Sequence, residues 1–301
     1  MLVKFIVSVL PILVYTYLKT KKSFHMLQQN WYNDGNRYLK WISKNIKKIF
    51  LNVELIFILF FIFKWCNPIV SMVLIVIIYT ILSLIQLSKA KKEQTKKPLV
   101  FTKRVKRLLV TTTILYLIPI MIFSVSFNEN NLYIYYLIIG AIVYFNYYIV
   151  WLANVINKPI EKMINNNFKR KAIRKLKEMT NLKVVGITGS YGKTSSKNIL
   201  NDILNVKYNS FPTPKNFNTP VGLIITINDY LDKFNDIFIA EMGAFKRGEI
   251  KELCDLVHPT YGILTTIGTA HLDSFGSREN IQKGKFELIE SLPPDGIGIL
   301  N

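Results

Sequence analysis

A glycine-rich turn, a carboxylate and an imidazole are the features of this sequence that could do chemistry. The turn is TGSYGKTS at 188–195, the carboxylate is Glu241 and the imidazole is His271. Glycines in such a turn let backbone amides point at phosphate oxygens, and a following helix presents its N-terminus to the same anion. Lys193 can neutralise phosphate charge and the hydroxyl of Thr194 can bind Mg²⁺. This set of residues predicts nucleotide binding.

The turn is a near match to the Walker A pattern. A strict pattern has glycine at position 187, where this sequence has Ile187. The alternative is an ordinary strand-to-helix connection, but the GKT ending and the flanking segments favour a phosphate-binding loop. The predicted nucleotide-binding residues are Thr188, Gly189, Ser190, Tyr191, Gly192, Lys193, Thr194 and Ser195.

The elements around the turn predict an α/β fold with a doubly wound parallel sheet, because short β-branched runs alternate with helical stretches. The predicted strands are 183–187, 207–211, 236–240, 261–266 and 297–300. The predicted helices are 195–206, 221–230, 248–257 and 278–291. Such sheets bind ligands at the carboxyl ends of their strands. The turn, Glu241 and His271 follow the first, third and fourth strands, so they are expected to meet at one sheet edge.

The first half of the chain has a different character. Apolar runs occupy 2–18, 49–63, 69–87, 108–127 and 132–156. Most of them reach the roughly 20 residues that cross a bilayer, and five in succession without amphipathic periodicity predict membrane spans rather than buried core helices. The run 49–63 is the weakest candidate, because it is short and carries Glu54.

The net charge of +20 is concentrated between these runs. The segments 19–48, 88–107 and 157–183 are rich in Lys and Arg, whereas the connections 65–68 and 128–131 are short and not basic, the latter with Glu129. Basic loops stay in the cytoplasm, so the N-terminus is predicted outside and the residues after about Lys158 inside. Topology and contact with anionic membrane lipids account for the charge, so no nucleic-acid partner is expected.

Three parts are therefore predicted: a transmembrane region at 1–157, a basic juxtamembrane linker helix at 158–182, and a nucleotide-binding domain from 183 to 301. Cys66 and Cys254 are too few for a disulfide framework or a zinc ribbon, and both are expected to be structural thiols. His258, which precedes a proline and a strand, is expected to be structural.

Four ordered motifs of the C-terminal part resemble the Mur ligase family, ATP-dependent amide-forming ligases of cell-wall synthesis. They are TGSYGKTS (188–195), TPKNFNTPVG (213–222), AEMGAFKRGEIKELCDLVHPTYGILTTIGTAHLDSFGS (240–277) and ENIQKGKFELIESLP (279–293). The last three are most similar to the branch that adds D-alanyl-D-alanine. The resemblance implies a bacterial membrane enzyme whose catalytic module is cytoplasmic and whose substrates are ATP, D-alanyl-D-alanine and a UDP-linked muramoyl peptide.

The family mechanism implies a role for each matching residue. ATP phosphorylates a carboxylate to an acyl phosphate, and an amine then displaces phosphate. Lys193 would hold the β- and γ-phosphates, Thr194 and Glu241 a first Mg²⁺, and His271 a second. Lys285 falls on the family's carbamylated lysine. Thr213, Asn216 and Asn218 match positions near the substrate and phosphates.

The chain departs from the family pattern in several places. Thr219 and Thr266 stand where the family usually has asparagine. Membrane helices occupy the place of a soluble uridine-binding domain, and the sequence ends before the adenine-side residues and the amine-binding domain. A fragment, inactive by itself, is therefore expected.

Other functions stay open: a poly-γ-glutamate synthase-like ligase, a ligase with a lipid-linked acceptor, a noncatalytic nucleotide-binding scaffold, or a transporter. The absence of an ABC signature and the few intramembrane charges weigh against transport. The sequence does not predict an oligomeric state.

Overall fold

The structure is a computed structural model that describes residues 2–30, 32, 35–92, 98–124 and 131–301. The chain divides into two compact units, Met1–Lys162 and Met163–Asn301. The first corresponds to the apolar, basic half of the sequence and the second to the predicted nucleotide-binding half. Each is described by itself.

The first unit is mostly helical in its described residues. Its α-helices are α1 (Leu2–Gln29), α2 (Gly35–Lys44), α3 (Ile46–Phe50), α4 (Pro68–Lys92), α5 (Lys103–Ser124), α6 (Leu132–Tyr144) and the beginning of α7 (Asn146–Glu178), and a 3₁₀ helix covers Val53–Trp65. Large apolar side chains remain exposed along α1, α4 and α5, as on helices that face lipid.

Three of these helices are long and apolar enough to cross a membrane by length and composition, namely Val3–Gln29, Pro68–Lys91 and Lys103–Ile122. The pair α6 and α7, bent by 68° at its break, qualifies as a fourth candidate. Five α-helical spans were predicted. Within the described residues, the run 49–63 does not form the α-helix that was expected of it. Its residues divide between the end of α3 and the 3₁₀ helix. The connection predicted at 128–131 falls almost wholly outside the described residues, as does Glu129.

The first turn of the 3₁₀ helix contains the only acidic residue of its run, Glu54. The Glu54 carboxylate forms an ion pair with Lys19 of α1 and accepts a hydrogen bond from the Tyr15 hydroxyl. Lys19 is 3% exposed and also donates to the Val143 carbonyl at 2.9 Å. The charge that made this run a weak span is thus neutralised inside the helical unit.

The second unit is built on a five-stranded, all-parallel sheet with the order β2-β3-β1-β4-β5. The strands are β1 (Lys183–Thr188), β2 (Ser210–Pro212), β3 (Ile237–Glu241), β4 (Tyr261–Leu264) and β5 (Ile297–Leu300). The helices are the end of α7, α8 (Lys193–Leu204), α9 (Pro220–Ile225), a π-helix (Thr226–Tyr230), α10 (Glu249–Val257), α11 (Leu272–Phe275) and α12 (Arg278–Glu290).

Helices cover both faces of this sheet. One face packs with α7, α9, α10 and α12 in a core that contains Phe238, Leu253 and Leu288. The opposite face packs against α8, where Ile187 and Ile239 meet Leu200. Central parallel strands buried on both faces read as continuous apolar runs, as β3 does. The predicted doubly wound α/β fold is confirmed.

Most predicted element boundaries shift by one or two residues, and larger differences from the predictions occur in three places. The strand predicted at 207–211 starts at Ser210, because the backbone of Lys207 still donates to the Leu204 carbonyl in a helical turn. The helix predicted at 221–230 changes to a π-helix at Thr226. The short α11 was not predicted. It follows a left-handed His271, a conformation that sequence periodicity does not reveal.

Most of the predicted linker, 158–182, lies within the second compact unit, which begins at Met163. Ala172 of α7 is fully buried in the core of that unit, and Ile173 and Leu176 pack against it. Asn228 of the π-helix donates to the Phe168 carbonyl at 3.0 Å. This part of α7 therefore serves as a packed helix of the nucleotide-binding unit.

Candidate functional site

The glycine-rich turn connects β1 to α8 at the carboxyl edge of the sheet. Its backbone is fixed by the segment that follows β4: Ser190 N donates to the Thr266 carbonyl at 2.8 Å, and the Thr265 hydroxyl lies 2.7 Å from the Tyr191 carbonyl. Gly192 caps α8, whose first residue is Lys193. The free N–H groups of that helix end therefore face the turn, as phosphate binding requires.

Two glycines of the turn have positive φ. At Gly189, with φ of 152°, an added Cβ would lie 1.9 Å from the Thr265 hydroxyl oxygen. At Gly192, with φ of 80°, an added Cβ would meet nothing within 4 Å. The first glycine is required by close packing and the second by backbone conformation. Both support the tight turn that the sequence predicted.

Lys193 bends back over the turn. Its ammonium donates to the Gly189 carbonyl at 2.6 Å and to the Ser190 carbonyl at 3.3 Å. Burial lowers the pKa of Lys193, and the charge of Glu241 acts in the opposite direction. The cation is therefore held beside the turn amides, where phosphate oxygens would approach it.

Glu241 is the centre of a buried polar cluster at the end of β3. Its Oε2 accepts from the Thr194 hydroxyl at 3.0 Å and its Oε1 from Asn218 Nδ2 at 3.1 Å. It also forms an ion pair of 3.0 Å with Lys197, and both side chains are 2% exposed. The backbone N–H of Glu241 donates to the Thr213 hydroxyl at 3.1 Å. Four residues from two chain segments, α8 and the turn between β2 and α9, thus position Glu241.

Lys197 is the residue of this cluster that the sequence analysis missed. Its ammonium also donates to the carbonyls of Thr213 and Lys215, both at 2.9 Å. A lysine in the middle of a helix normally indicates a solvated face. The available signal was spacing, because Lys197 follows Lys193 by four residues and so shares its helix face.

The segment after Glu241 contacts the next two predicted site residues, Lys285 and His271. Lys285 of α12 is 2% exposed, and its Nζ donates to the Ala244 carbonyl at 3.3 Å. Burial first, and then the charge of Lys193, lower the pKa of Lys285 to about 8, against the attraction of Glu249 and Glu287. An amine with this pKa has a neutral fraction of roughly a tenth to a fifth near physiological pH, far more than an ordinary lysine, and this fraction can act as a nucleophile.

His271 packs on the same segment but is exposed to solvent. Its ring lies edge-on to Phe245, with centroids 4.5 Å apart, and its φ is 66°. Lys285 and His271 therefore contact the adjacent residues Ala244 and Phe245. Among the described residues, however, there is no group of three or more His, Cys, Asp or Glu side chains that could hold a metal ion. The structure joins Thr194 to Glu241 but does not join His271 to them.

The predicted substrate residues lie in the turn between β2 and α9. Thr213 is buried beside Glu241, and the Asn218 carbonyl accepts from Gly243 N at 2.8 Å. Asn216 is exposed, and its carbonyl accepts from Asn218 N. Thr219, where the family usually has asparagine, caps α9 by accepting from Gly222 N at 3.3 Å. A threonine serves this capping role nearly as well.

The two cysteines have no catalytic environment. Cys254 is buried on α10, and burial raises the pKa of its thiol to about 12. Cys66 is also free, at the end of the 3₁₀ helix. The expectation of two structural thiols agrees with these surroundings.

Comparison with known proteins gives matches in this half of the chain. Residues 187–301 match the Mur ligase middle domain. The UDP-N-acetylmuramoyl-tripeptide–D-alanyl-D-alanine ligase of Bacillus subtilis (strain 168) is 37% identical over 115 residues, which are 38% of this chain and 25% of the relative. The ligase of the same name from Escherichia coli (strain K12) is 35% identical over 119 residues, 40% of this chain and 26% of the relative.

A solved structure of MurF ligase from Thermotoga maritima in complex with ADP is 38% identical, with a TM-score of 0.42 over 45% of this chain and 31% of the other. The present chain spans about a quarter of the length of the curated relatives that it matches.

Proposed function

We propose, from the match of residues 187–301 to the Mur ligase middle domain, that this protein is a membrane-anchored, ATP-dependent ligase of peptidoglycan-precursor synthesis. Its reaction is the addition of D-alanyl-D-alanine to UDP-N-acetylmuramoyl-tripeptide, with formation of ADP and phosphate. The observation that carries the proposal is the Glu241 carboxylate fixed 3.0 Å from the Thr194 hydroxyl at the end of a phosphate-binding turn.

The Thr194 and Glu241 oxygens fit a magnesium ion. Mg²⁺ binds oxygen ligands at about 2.0–2.1 Å, so neighbouring ligands of its octahedron are about 3 Å apart. The observed separation of 3.0 Å matches that spacing. Mg²⁺ usually takes one or two protein ligands and completes its shell with phosphate oxygens and water. When bound, it would neutralise charge on the transferred phosphate.

The side chains of the turn and the strand ends then have separate tasks. Lys193 and the N-terminal amides of α8 bind the β- and γ-phosphates. Asn218 and Lys197 hold the Glu241 carboxylate in one orientation. The substrate carboxylate attacks the γ-phosphorus and ADP leaves. The amine of D-alanyl-D-alanine then attacks the acyl phosphate, the C–O bond to phosphate breaks, and the ammonium proton goes to solvent. His271 is proposed to hold a second Mg²⁺, which would neutralise charge on the reacting phosphate.

Lys285 is proposed to be carbamylated. A plain ammonium would repel a metal, whereas a carbamate is anionic and can support one. A neutral amine adds CO₂ by forming an N–C bond and releasing one proton. Its pKa of about 8 makes this amine available at a pH where an ordinary lysine is protonated.

The first unit is proposed to be a multi-pass anchor in the bacterial cell membrane, with the N-terminus outside and the ligase unit in the cytoplasm. The 3₁₀ helix fits this topology although it is short. Its 13 residues, at a rise of about 2.0 Å each, extend about 26 Å, near the roughly 30 Å hydrocarbon thickness. With this crossing, the basic segments 19–48 and 88–107 lie on the same side.

The test uses the gene product purified in detergent with ATP, Mg²⁺, D-alanyl-D-alanine and UDP-N-acetylmuramoyl-tripeptide, with phosphate release as the readout. Release that requires both substrates and is lost in Lys193→Ala supports the proposal. Lys207→Ala, which removes a lysine beyond the end of α8, is the matched control and should leave the rate unchanged.

ATP binding without phosphate release would contradict the assigned acceptor. Lipid-linked muramoyl peptide would then be supplied, because a membrane anchor suits such a substrate. Proteolysis of sealed vesicles tests the topology, since only a cytoplasmic ligase unit is protected in right-side-out vesicles.

A further inference from the structure

A cavity lined by both charged and apolar side chains lies within the helical unit. Its volume is about 490 Å³. Its lining comes from the C-terminal halves of α1 and α4, the junction of α3 with the 3₁₀ helix, and the start of α7. In the proposed topology these ends of α1 and α4, and the start of the 3₁₀ helix, all belong to the cytoplasmic side. The cavity is therefore at the level of lipid headgroups.

The charge of the cavity is strongly asymmetric. Lys19, Lys22, Lys48 and Lys89 line it, and Glu54 is the one acidic residue among its described lining residues. Glu54 is already paired with Lys19. Lys48 and Lys89 are exposed. The lining thus has an excess of positive charge in a confined volume, where low-dielectric walls strengthen its attraction for an anion.

The base of the cavity is a buried polar network. Lys19 contacts Glu54 and the Val143 carbonyl, and Glu54 also accepts from Tyr15. Ionisable side chains inside a membrane region are costly, so their presence indicates a functional site. The network provides polar partners at depth, beneath the lysines of the entrance.

The remaining wall is apolar. Ile49, Val53, Leu82 and Ile85 line the cavity beside the lysines. Ile85 is also 42% exposed and Val53 66% exposed. A ligand that fits both the lysines and the apolar wall has an anionic head and a hydrocarbon portion.

We propose that this cavity binds the phosphate-bearing headgroup of a membrane lipid, with Lys48 and Lys89 as the phosphate ligands and the apolar wall against the first part of the chain. The phosphate oxygens replace water at the two ammonium groups, and Lys22 adds a third cation. The proposal depends on membrane insertion of this unit, but it is independent of the ligase activity.

The experiment measures binding of a fluorescent short-chain phosphatidic acid to the 301-residue chain in neutral detergent, by fluorescence anisotropy. The test variant is Lys48→Gln/Lys89→Gln. The matched control is Lys47→Gln/Lys91→Gln, which removes the same charge from neighbouring exposed lysines outside the cavity. One lysine changes affinity at a lipid surface about fivefold, so loss of two predicts roughly 30-fold weaker binding. The control should bind within about threefold of the unaltered chain.

Competition distinguishes the sources of the phosphate. Unlabelled phosphatidic acid should displace the probe, whereas phosphatidylcholine of the same chain length and inorganic phosphate should not. Displacement by inorganic phosphate at equal concentration would overturn the lipid proposal, since the hydrocarbon portion would then add nothing. An equal loss of affinity for phosphatidic acid in both double variants would overturn the proposed binding site, because net surface charge would then explain the binding.

Two further measurements separate this proposal from the others. Reconstitution into phosphatidylcholine vesicles, followed by flotation, reports insertion alone and should be equal in all variants. Binding of a fluorescent ADP analogue reports the nucleotide site and should also be unchanged. Normal insertion and normal nucleotide binding, together with no binding of phosphatidic acid, would refute the proposed lipid site and leave the other proposals unaffected.

Discussion

The buried ion pair between Lys197 and Glu241 allows a sharp test of the site architecture. The perturbation is Lys197→Met, which keeps an unbranched side chain of similar length but removes the charge and the donors. It leaves the Glu241 carboxylate, 2% exposed, without its cation, and it leaves the carbonyls of Thr213 and Lys215 without this donor. The second unit should be strongly destabilised.

The chain contains its own reference for the magnitude. Lys251 and Asp255 form an ion pair with the same nitrogen–oxygen separation of 3.0 Å, but their side chains are 63% and 59% exposed. Removing one partner of a buried pair costs about 3–5 kcal/mol. Removing one partner of an exposed pair costs about 0–1 kcal/mol. Lys251→Met is therefore the matched control, and burial is the variable that differs.

Amide hydrogen exchange is the suitable assay, because it reports each unit separately. The four tryptophans all precede Met163, so tryptophan fluorescence reports the first unit only. Exchange in peptides that cover β1 and β3 reports the second unit. In Lys197→Met these amides should exchange about 10²- to 10⁴-fold faster if they exchange through opening of the whole unit, since each 1.4 kcal/mol corresponds to tenfold.

The double variant Lys197→Met/Glu241→Gln completes the test. A glutamine carries no charge. Its amide oxygen can still accept from Asn218 while its amide nitrogen donates to the Thr194 hydroxyl, so most of the lost protection should return. Equal acceleration in Lys197→Met and Lys251→Met would refute the reasoning. So would a double variant no more protected than Lys197→Met, because the damage would then not come from an unpaired charge.

Three other predictions follow from the same unit. Gly189→Ala should abolish binding of a fluorescent ADP analogue, since the added Cβ would lie 1.9 Å from the Thr265 hydroxyl oxygen. The Cβ added in Gly192→Ala meets no atom within 4 Å, so this variant should weaken the turn by only about 1–2 kcal/mol, the cost of the left-handed backbone. Equal affinities of the two variants for the ADP analogue would contradict this difference. The pKa of Lys285 is about 8 in the folded chain, against an ordinary value of 10.5, so between these pH values the folded chain binds fewer protons than the unfolded chain. The stability measured by hydrogen exchange should therefore rise with pH across that window in the unaltered protein. Lys285→Met should not show this rise. In ¹³CO₂ a lysine carbamate resonance should grow as pH rises through about 8, at fixed dissolved CO₂, and its persistence in Lys285→Met would refute carbamylation at this position. Thr219→Ala should destabilise α9 by about 1 kcal/mol, because it removes the side chain that caps the helix. Thr219→Asn should be neutral or slightly stabilising, because asparagine also caps helices. Equal exchange rates in α9 for both variants would show that the cap has no effect.

Local patterns were sufficient for the outline of the second unit. The alternation of apolar runs and helical stretches predicted the five strands. The GKT ending of the turn predicted a helix after it from residue 195, and α8 begins two residues earlier, at Lys193. Residues 187–301 match the middle domain of the family that the motifs resemble. These features depend on neighbouring residues, so the sequence contains them directly.

The first unit shows where such patterns fail. The run 49–63 is apolar like its neighbours, yet it forms the end of α3 and a 3₁₀ helix. Glu54 could be read only as a penalty for a span, because the residue that neutralises it, Lys19, lies 35 positions away. The role of a buried charge depends on a partner that only packing brings near it.

By itself the sequence determined the chemical types at the site and the order of strands and helices, since both follow from local spacing and composition. The tertiary structure decided how those groups are used. It placed Lys197 against Glu241 rather than in solvent, joined Thr194 to that carboxylate, and buried Lys285 so that its pKa falls to about 8. Parallel pairing of β1 with β3 brings residues about fifty positions apart into contact. Desolvation and ion pairing arise only from such contacts, and they are absent from any local pattern.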